Sequence, residues 1–252
     1  MFLCGIQSQI FRYLQSPEKR ALRLVCRTLA VAVSISDSVL WLVTNITSLN
    51  TLTSSVFVGK QRLKHLRCGK YFDMAGTSGF RTGCLDALVN LRSLHIANCF
   101  FMTNGCFDNL VNLTRLECVG CRQLVTGCFD ALVHLTYLDC GYCEKLTNGC
   151  FDKLTNLRTL DCLGCELLTK GCFDKLVNLT DLSCSHCVEL TDGCFDSLTN
   201  LTALNCSGCA LLSSVCLKNL ADLKTLTCAH CVQMTDEALP LFDWADGHYT
   251  RR

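Results

Sequence analysis

The feature that most constrains this chain is a 22-residue period. A leucine recurs at Leu94, Leu116, Leu138, Leu160, Leu182, Leu204 and Leu226, and three cysteine columns keep step with it, as in Cys118, Cys121 and Cys128 and then Cys140, Cys143 and Cys150. A unit this short cannot bury its own apolar face, so successive units must stack and share one continuous core. Pro17 and Pro240, the only two prolines, both lie outside the regular units.

The unit reads L-x-x-L-x-C-x-x-C, the spacing of leucine-rich repeats. Seven regular coils start at Leu91, Leu113, Leu135, Leu157, Leu179, Leu201 and Leu223. The expected fold is an α/β repeat solenoid, a horseshoe with a short strand around each L-x-C. Those strands form a concave parallel β-sheet, and Gly-Cys-Phe-Asp-x-Leu supplies a short helical turn on the convex side. The expected organisation is an N-terminal helical segment over residues 1–42, degenerate leading coils over 43–90, regular coils over 91–239 and a C-terminal cap over 240–252. The leading coils are Trp41 to Leu49, which fits the frame loosely, and one around Leu63, Leu66 and Cys68.

Ahead of the repeats, Ile10-Phe11-x-Tyr13-Leu14 and the Leu22–Arg27 run with Leu24-Val25-Cys26-Arg27 follow helical apolar spacing, with Pro17 placed where a helix can start, and a third segment ending in Leu40-Trp41 leads into the repeats. This run resembles an F-box, although the Leu-Pro pair and acidic residue that usually open that motif are replaced by Phe2-Leu3-Cys4. The cysteine-bearing repeat with Leu-Thr-(Asp/Asn)-Gly is similar to the repeats of F-box proteins. The resemblance implies that Ile10, Phe11, Leu14, Leu24 and Val25 dock a Skp-type adaptor of a cullin ubiquitin ligase while the repeats capture the protein to be modified. The alternative is a stand-alone repeat module whose N-terminal helices only cap the solenoid.

Twenty-three cysteines would suit a disulfide scaffold in a short secreted chain, but here they are odd in number and occupy repeat columns. No secretory signal or membrane-spanning run is apparent, so a reducing cytosol or nucleus is expected. Each Cys-x-x-Cys pair looks like half a zinc site, yet no His or acid closes a set with it. Core packing is the favoured reading, with the second cysteine donating a weak hydrogen bond to a loop carbonyl and the third beside a phenylalanine column. No cofactor, metal or catalytic residue is expected, because no phosphate loop, nucleophile elbow or metalloprotease motif is present. The aspartates at Asp86, Asp108, Asp130, Asp152, Asp174 and Asp196 and the asparagines at Asn90, Asn112, Asn156, Asn178 and Asn200 recur once per coil, which points to identical structural duties.

Net charge is +1, but residues 1–70 hold ten Lys/Arg against two acids, and the remainder thirteen against twenty. The dense basic run Lys60–Lys70 lacks interleaved aromatics and reads as a solvated face rather than a nucleic-acid site. Strand alternation sends two columns outward on the concave face. One reads His95, Glu117, Asp139, Asp161, Ser183, Asn205 and Thr227, the other Ser93, Arg115, Tyr137, Thr159, Asp181, Ala203 and Thr225. Both vary while the frame does not, which suits either a diversified recognition surface or unconstrained drift. His95, Arg115, Glu117, Tyr137, Asp139, Asp161 and Asp181 are the candidate partner-binding residues. Glu117, Asp139 and Asp161 form an expected ladder of like charges, which a basic segment of a protein partner would relieve.

Overall fold

The computed structural model describes residues 31–36, 39–43, 61–68, 83–234, 242–245 and 248–251. Eight strands form the repeat ladder: β3 (His65–Cys68), β4 (Ser93–His95), β5 (Arg115–Glu117), β6 (Tyr137–Asp139), β7 (Thr159–Asp161), β8 (Asp181–Ser183), β9 (Ala203–Asn205) and β10 (Thr225–Thr227). Each pairs in parallel with the next, and the register advances by one coil, as in Leu116↔Leu138 and Leu138↔Leu160. The expected solenoid with a parallel sheet is thus present.

Both ends of the ladder are closed by antiparallel hairpins. At the start, β1 (Val31–Ser36) pairs with β2 (Val39–Val43), and β2 runs parallel to β3 with Leu40 opposite Leu66. At the finish, β12 (His248–Arg251) lies between β10 and β11 (Phe242–Ala245). This corrects two expectations. Residues 31–36 and 39–43 are not part of a helical cap, because these Val- and Ile-rich stretches suit a pleated sheet and find an edge to pair with. The leading coil also sets its strand at Val39–Val43, ahead of the expected Trp41 to Leu49 frame. Ile10, Phe11, Leu14, Leu24 and Val25 lie outside the described residues.

The convex side differs as well. Gly-Cys-Phe-Asp-x-Leu forms not a helix but consecutive tight turns, with the Leu110 amide donating to the Phe107 carbonyl at 2.9 Å and the Leu113 amide to Leu110 at 2.9 Å. A 22-residue circuit has too few residues left after its strand for a helix to propagate. Among the described residues only Ser214–Leu217 is helical, as a single 3-10 turn started by the Ser213 hydroxyl, which accepts from the Val215 amide. The opening glycine of each turn is left-handed, at φ 88° in Gly149, a conformation that suits a residue without a Cβ.

The core follows the columns. Phe107, Phe129, Phe151, Phe173 and Phe195 are wholly buried, their rings stacked at centroid spacings of 6.1, 6.5, 6.2 and 6.2 Å. The twenty cysteines from Cys84 to Cys231 are free and buried. The second cysteine of five pairs donates as expected, but across coils: Cys143 Sγ to the Cys118 carbonyl at 3.3 Å, Cys165 to Cys140 at 3.3 Å, Cys187 to Cys162 at 3.2 Å, Cys209 to Cys184 at 3.1 Å and Cys231 to Cys206 at 3.0 Å. The asparagine column does likewise, with Asn112 donating to the Val89 carbonyl, Asn156 to Val133, Asn178 to Thr155 and Asn200 to Val177. Asp86, Asp130, Asp152, Asp174 and Asp196 of the convex turns fold their carboxylates back beside the glycine three residues earlier. Asp152 Oδ2, for instance, would lie 3.7 Å from a Cβ placed on Gly149.

Replacing Phe151 by alanine should cost about 3–5 kcal/mol, because the stacked column leaves a cavity that cannot collapse. Urea unfolding would measure it, and a loss below about 1 kcal/mol would contradict the packing described. Burial pushes the thiols of Cys106, Cys128, Cys150, Cys172 and Cys194 far above their ordinary range. These thiols should therefore react with a disulfide reagent only as fast as the protein unfolds. Fast labelling of the native protein at these positions would contradict that.

Candidate functional site

The strand-face columns run in the register expected of them. Arg115, Tyr137, Thr159 and Asp181 are neighbours across β5 to β8, as are His95, Glu117, Asp139 and Asp161 across β4 to β7. Leucines between them, such as Leu116 and Leu138, are fully buried, so the flanking side chains are confined to the opposite face. The seven candidate residues therefore share one surface. Its leading edge is basic, since His65 and Arg67 of β3 are exposed while Leu63 and Leu66 point inward. That accounts for the described part of the Lys60–Lys70 run as a solvated strand face.

The charges on this surface are organised differently from a simple ladder. Glu117 is clamped: His95 Nδ1 meets one carboxylate oxygen, and Arg115 reaches the other through Nε at 2.9 Å and a terminal nitrogen at 2.8 Å. Partial burial works against the Glu117 carboxylate, but the bonds from His95 and Arg115 outweigh it and hold its pKa below the ordinary value. The same guanidinium lies over the Tyr137 ring, 3.5 Å from its centroid. Glu117 is thus bonded from both sides and ion-paired with Arg115, which partly offsets the like-charge repulsion expected there.

Asp139 and Asp161 remain opposite one another, and neither forms an ion pair among the described residues. Burial, then the neighbouring Asp161 and Glu117, push the Asp139 carboxyl up, although it accepts the Gly141 amide at 3.2 Å. Asp161 accepts the Leu163 amide at 3.0 Å through one oxygen. Asp181 is exposed and accepts the Thr180 hydroxyl at 2.7 Å. A shallow depression of about 280 Å³ opens over β6 to β10, between Tyr137 and Thr227. It is smaller than a typical cofactor pocket. No group of three metal-ligating side chains occurs among the described residues.

Sequence reasoning missed one column. The residue before each second cysteine is left-handed throughout: Asn98, Gly120, Tyr142, Gly164, His186, Gly208 and His230, with φ between 54° and 77°. Bulky and glycine residues alternate because each bulky side chain leans over the following coil. A Cβ on Gly164 would lie 2.9 Å from the Tyr142 ring, and one on Gly208 would lie 2.6 Å from His186 Nδ1. The signal was legible as a glycine in every second coil. It sets Tyr142 and His186 on the rim beyond the strands.

No protein-family model matches the sequence, and no curated protein matches it. Solved structures do. An internalin of Listeria monocytogenes superposes with a TM-score of 0.56 at 17% identity, covering 73% of this chain and 53% of that one. A chain of the yeast Rad7–Elc1 complex gives a TM-score of 0.49 at 17% identity, covering 77% of this chain and 69% of its own. The fold is that of leucine-rich-repeat solenoids. No helix among the described residues is long and apolar enough to cross a membrane.

The two central carboxylates should act on stability with opposite signs. Glu117 has a lowered folded pKa, so its contribution is present above the ordinary value and is lost as pH falls through the lowered one. Asp139 has a raised folded pKa, so it destabilises at neutral pH and this penalty disappears in acid. Glu117→Gln should therefore lower, and Asp139→Asn raise, the denaturant midpoint at pH 7. Both differences should shrink towards pH 3. Shifts of the same sign in the two variants would refute the clamp.

Proposed function

We propose that this chain is a non-catalytic protein-interaction module that captures a partner on the exposed face of its repeat sheet, serving as substrate receptor of a Skp/cullin-type ubiquitin ligase. The observation that carries the first half is the division of labour within each coil. Frame positions are buried, hydrogen-bonded across coils and nearly invariant, while the adjoining face positions change from Arg and Glu to Tyr and Asp to Ser, Ala and Asn. A surface free to vary on a rigid scaffold is where recognition is built without loss of fold. The second half rests on the F-box-like run at Ile10–Leu14 and Leu24–Arg27.

The stand-alone module is the competing reading, and one observation favours it. Leu40 and Trp41, the last pair of the F-box-like pattern, belong to β2 and extend the sheet. Capture of the full chain by a purified Skp-type adaptor decides between them. The ligase reading predicts retention that is lost in an Ile10→Ala/Phe11→Ala/Leu24→Ala variant with unchanged thermal unfolding. Absence of retention, or retention indifferent to these substitutions, leaves the stand-alone module.

A further inference from the structure

The geometry points to a specific guest on the sheet face: an arginine side chain from an extended segment of a protein partner, seated between Asp161 and Asp181 with Tyr137 as a wall. This rests on the sheet face being the docking surface. The argument begins with Arg115, the chain's own guanidinium on that face. It bonds a carboxylate of one column, Glu117, and stacks on the aromatic ring that follows it in the other column. Planar stacking combined with paired N–H donation is what distinguishes guanidinium from ammonium recognition.

Two coils further on, the columns again present acceptors, but none is ion-paired among the described residues. Asp161 lies in one column, and Asp181 lies diagonally across from it, since Asp181 pairs with Thr159. Diagonal neighbours of this kind are about 7–8 Å apart, close enough for one long side chain to bridge. Neither residue takes part in an ion pair among the described residues, and Asp161 Oδ2 has no partner among them. Arg115 is committed to Glu117, so the acidic stretch from Asp139 to Asp181 is uncompensated on its own face. Beyond it, Ala203, Asn205, Thr225 and Thr227 carry no charge.

A further observation favours an occupant. Asp161 and Asp181 line the depression over β6 to β10, whose volume of about 280 Å³ suits one or two side chains rather than a cofactor. The leading edge at His65 and Arg67, followed by the compensated Arg115–Glu117 pair, offers a cation no such acidic stretch and so sets the guest's position along the solenoid.

The neighbouring coils supply substitutions that the fold already tolerates. Asp161→Asn keeps the bond to the Leu163 amide, as Asn205 does for the Ser207 amide at 3.2 Å. Asp181→Ala copies Ala203 of the next strand. The probe is a blocked peptide of Thr, Ser and Val residues with one central arginine, titrated into the isotope-labelled full chain and followed by amide NMR shifts. Matched peptides carry lysine or citrulline, the latter isosteric but uncharged. Saturable shifts at residues 161–163 and 181–185 are expected with arginine, weaker ones with lysine and none with citrulline. The Asp161→Asn/Asp181→Ala variant should bind about tenfold more weakly or worse, the scale of lost charge-assisted bonds. Equal binding of citrulline, shifts centred elsewhere, or an unaffected double variant would overturn the proposal. A larger partner whose footprint covers the sheet face but ignores the double variant would overturn this inference alone. A footprint on another surface would also remove the docking-face reading.

Discussion

Everything in this structure depends on each coil lying on the next with a register of one repeat. The parallel strands contribute one set of bonds between coils. The thiol of each second cysteine, the side-chain amide of each asparagine and the hydroxyl of Thr114, Thr136, Thr180 or Thr202 contribute others. Each of these side-chain bonds joins a group in one coil to a carbonyl in the coil before it, while the strand amides donate in both directions. The bonds are individually modest, and those from thiols weaker still. They matter because a coil buries its leucines only when its neighbour is in place, so bonding and burial are gained together.

That constraint also explains the cysteines. Without a convex helix, the interior has no large apolar face to fill the space between strand and turn. Phenylalanine provides the one bulky layer, and leucine lines the strands. The remaining positions need side chains small enough for a tight circuit, apolar enough to be dry and able to add a weak hydrogen bond to a carbonyl of the coil before. Cysteine meets all three requirements, whereas serine in its place would carry a larger desolvation cost. The same burial that makes the thiol a good filler disfavours the ionised form of Cys106, Cys128, Cys150, Cys172 and Cys194, so the column beside the phenylalanines brings little nucleophilic chemistry with it.

The 22-residue period made the strand ladder, its register and the inward columns legible, because a solenoid translates sequence spacing directly into spatial spacing. Local structure between the columns was less legible. The Gly-Cys-Phe-Asp-x-Leu pattern fits a helical turn or a chain of tight turns equally well, and the length of the circuit decides between them. The hairpin at Val31–Val43 was hidden because apolar runs of that length suit either helix or strand until an edge is available. On the sheet face, columns gave the neighbours correctly but not the bonds. His95 and Arg115 could be placed near Glu117, yet that both would close on the same carboxylate depends on side-chain reach rather than on spacing.

The clamp changes what the face can do. A row of three carboxylates would attract any cation and would be indifferent to its position along the solenoid. Neutralising the first of them leaves a basic edge, a compensated coil and then an acidic stretch that ends at uncharged hydroxyls and amides. Such a sequence of charges has a direction, and an extended partner can match it in one orientation and one register. Electrostatic complementarity of this kind contributes mainly to selectivity and encounter. It costs the scaffold little, because the side chains that create it are not the ones that hold the coils together.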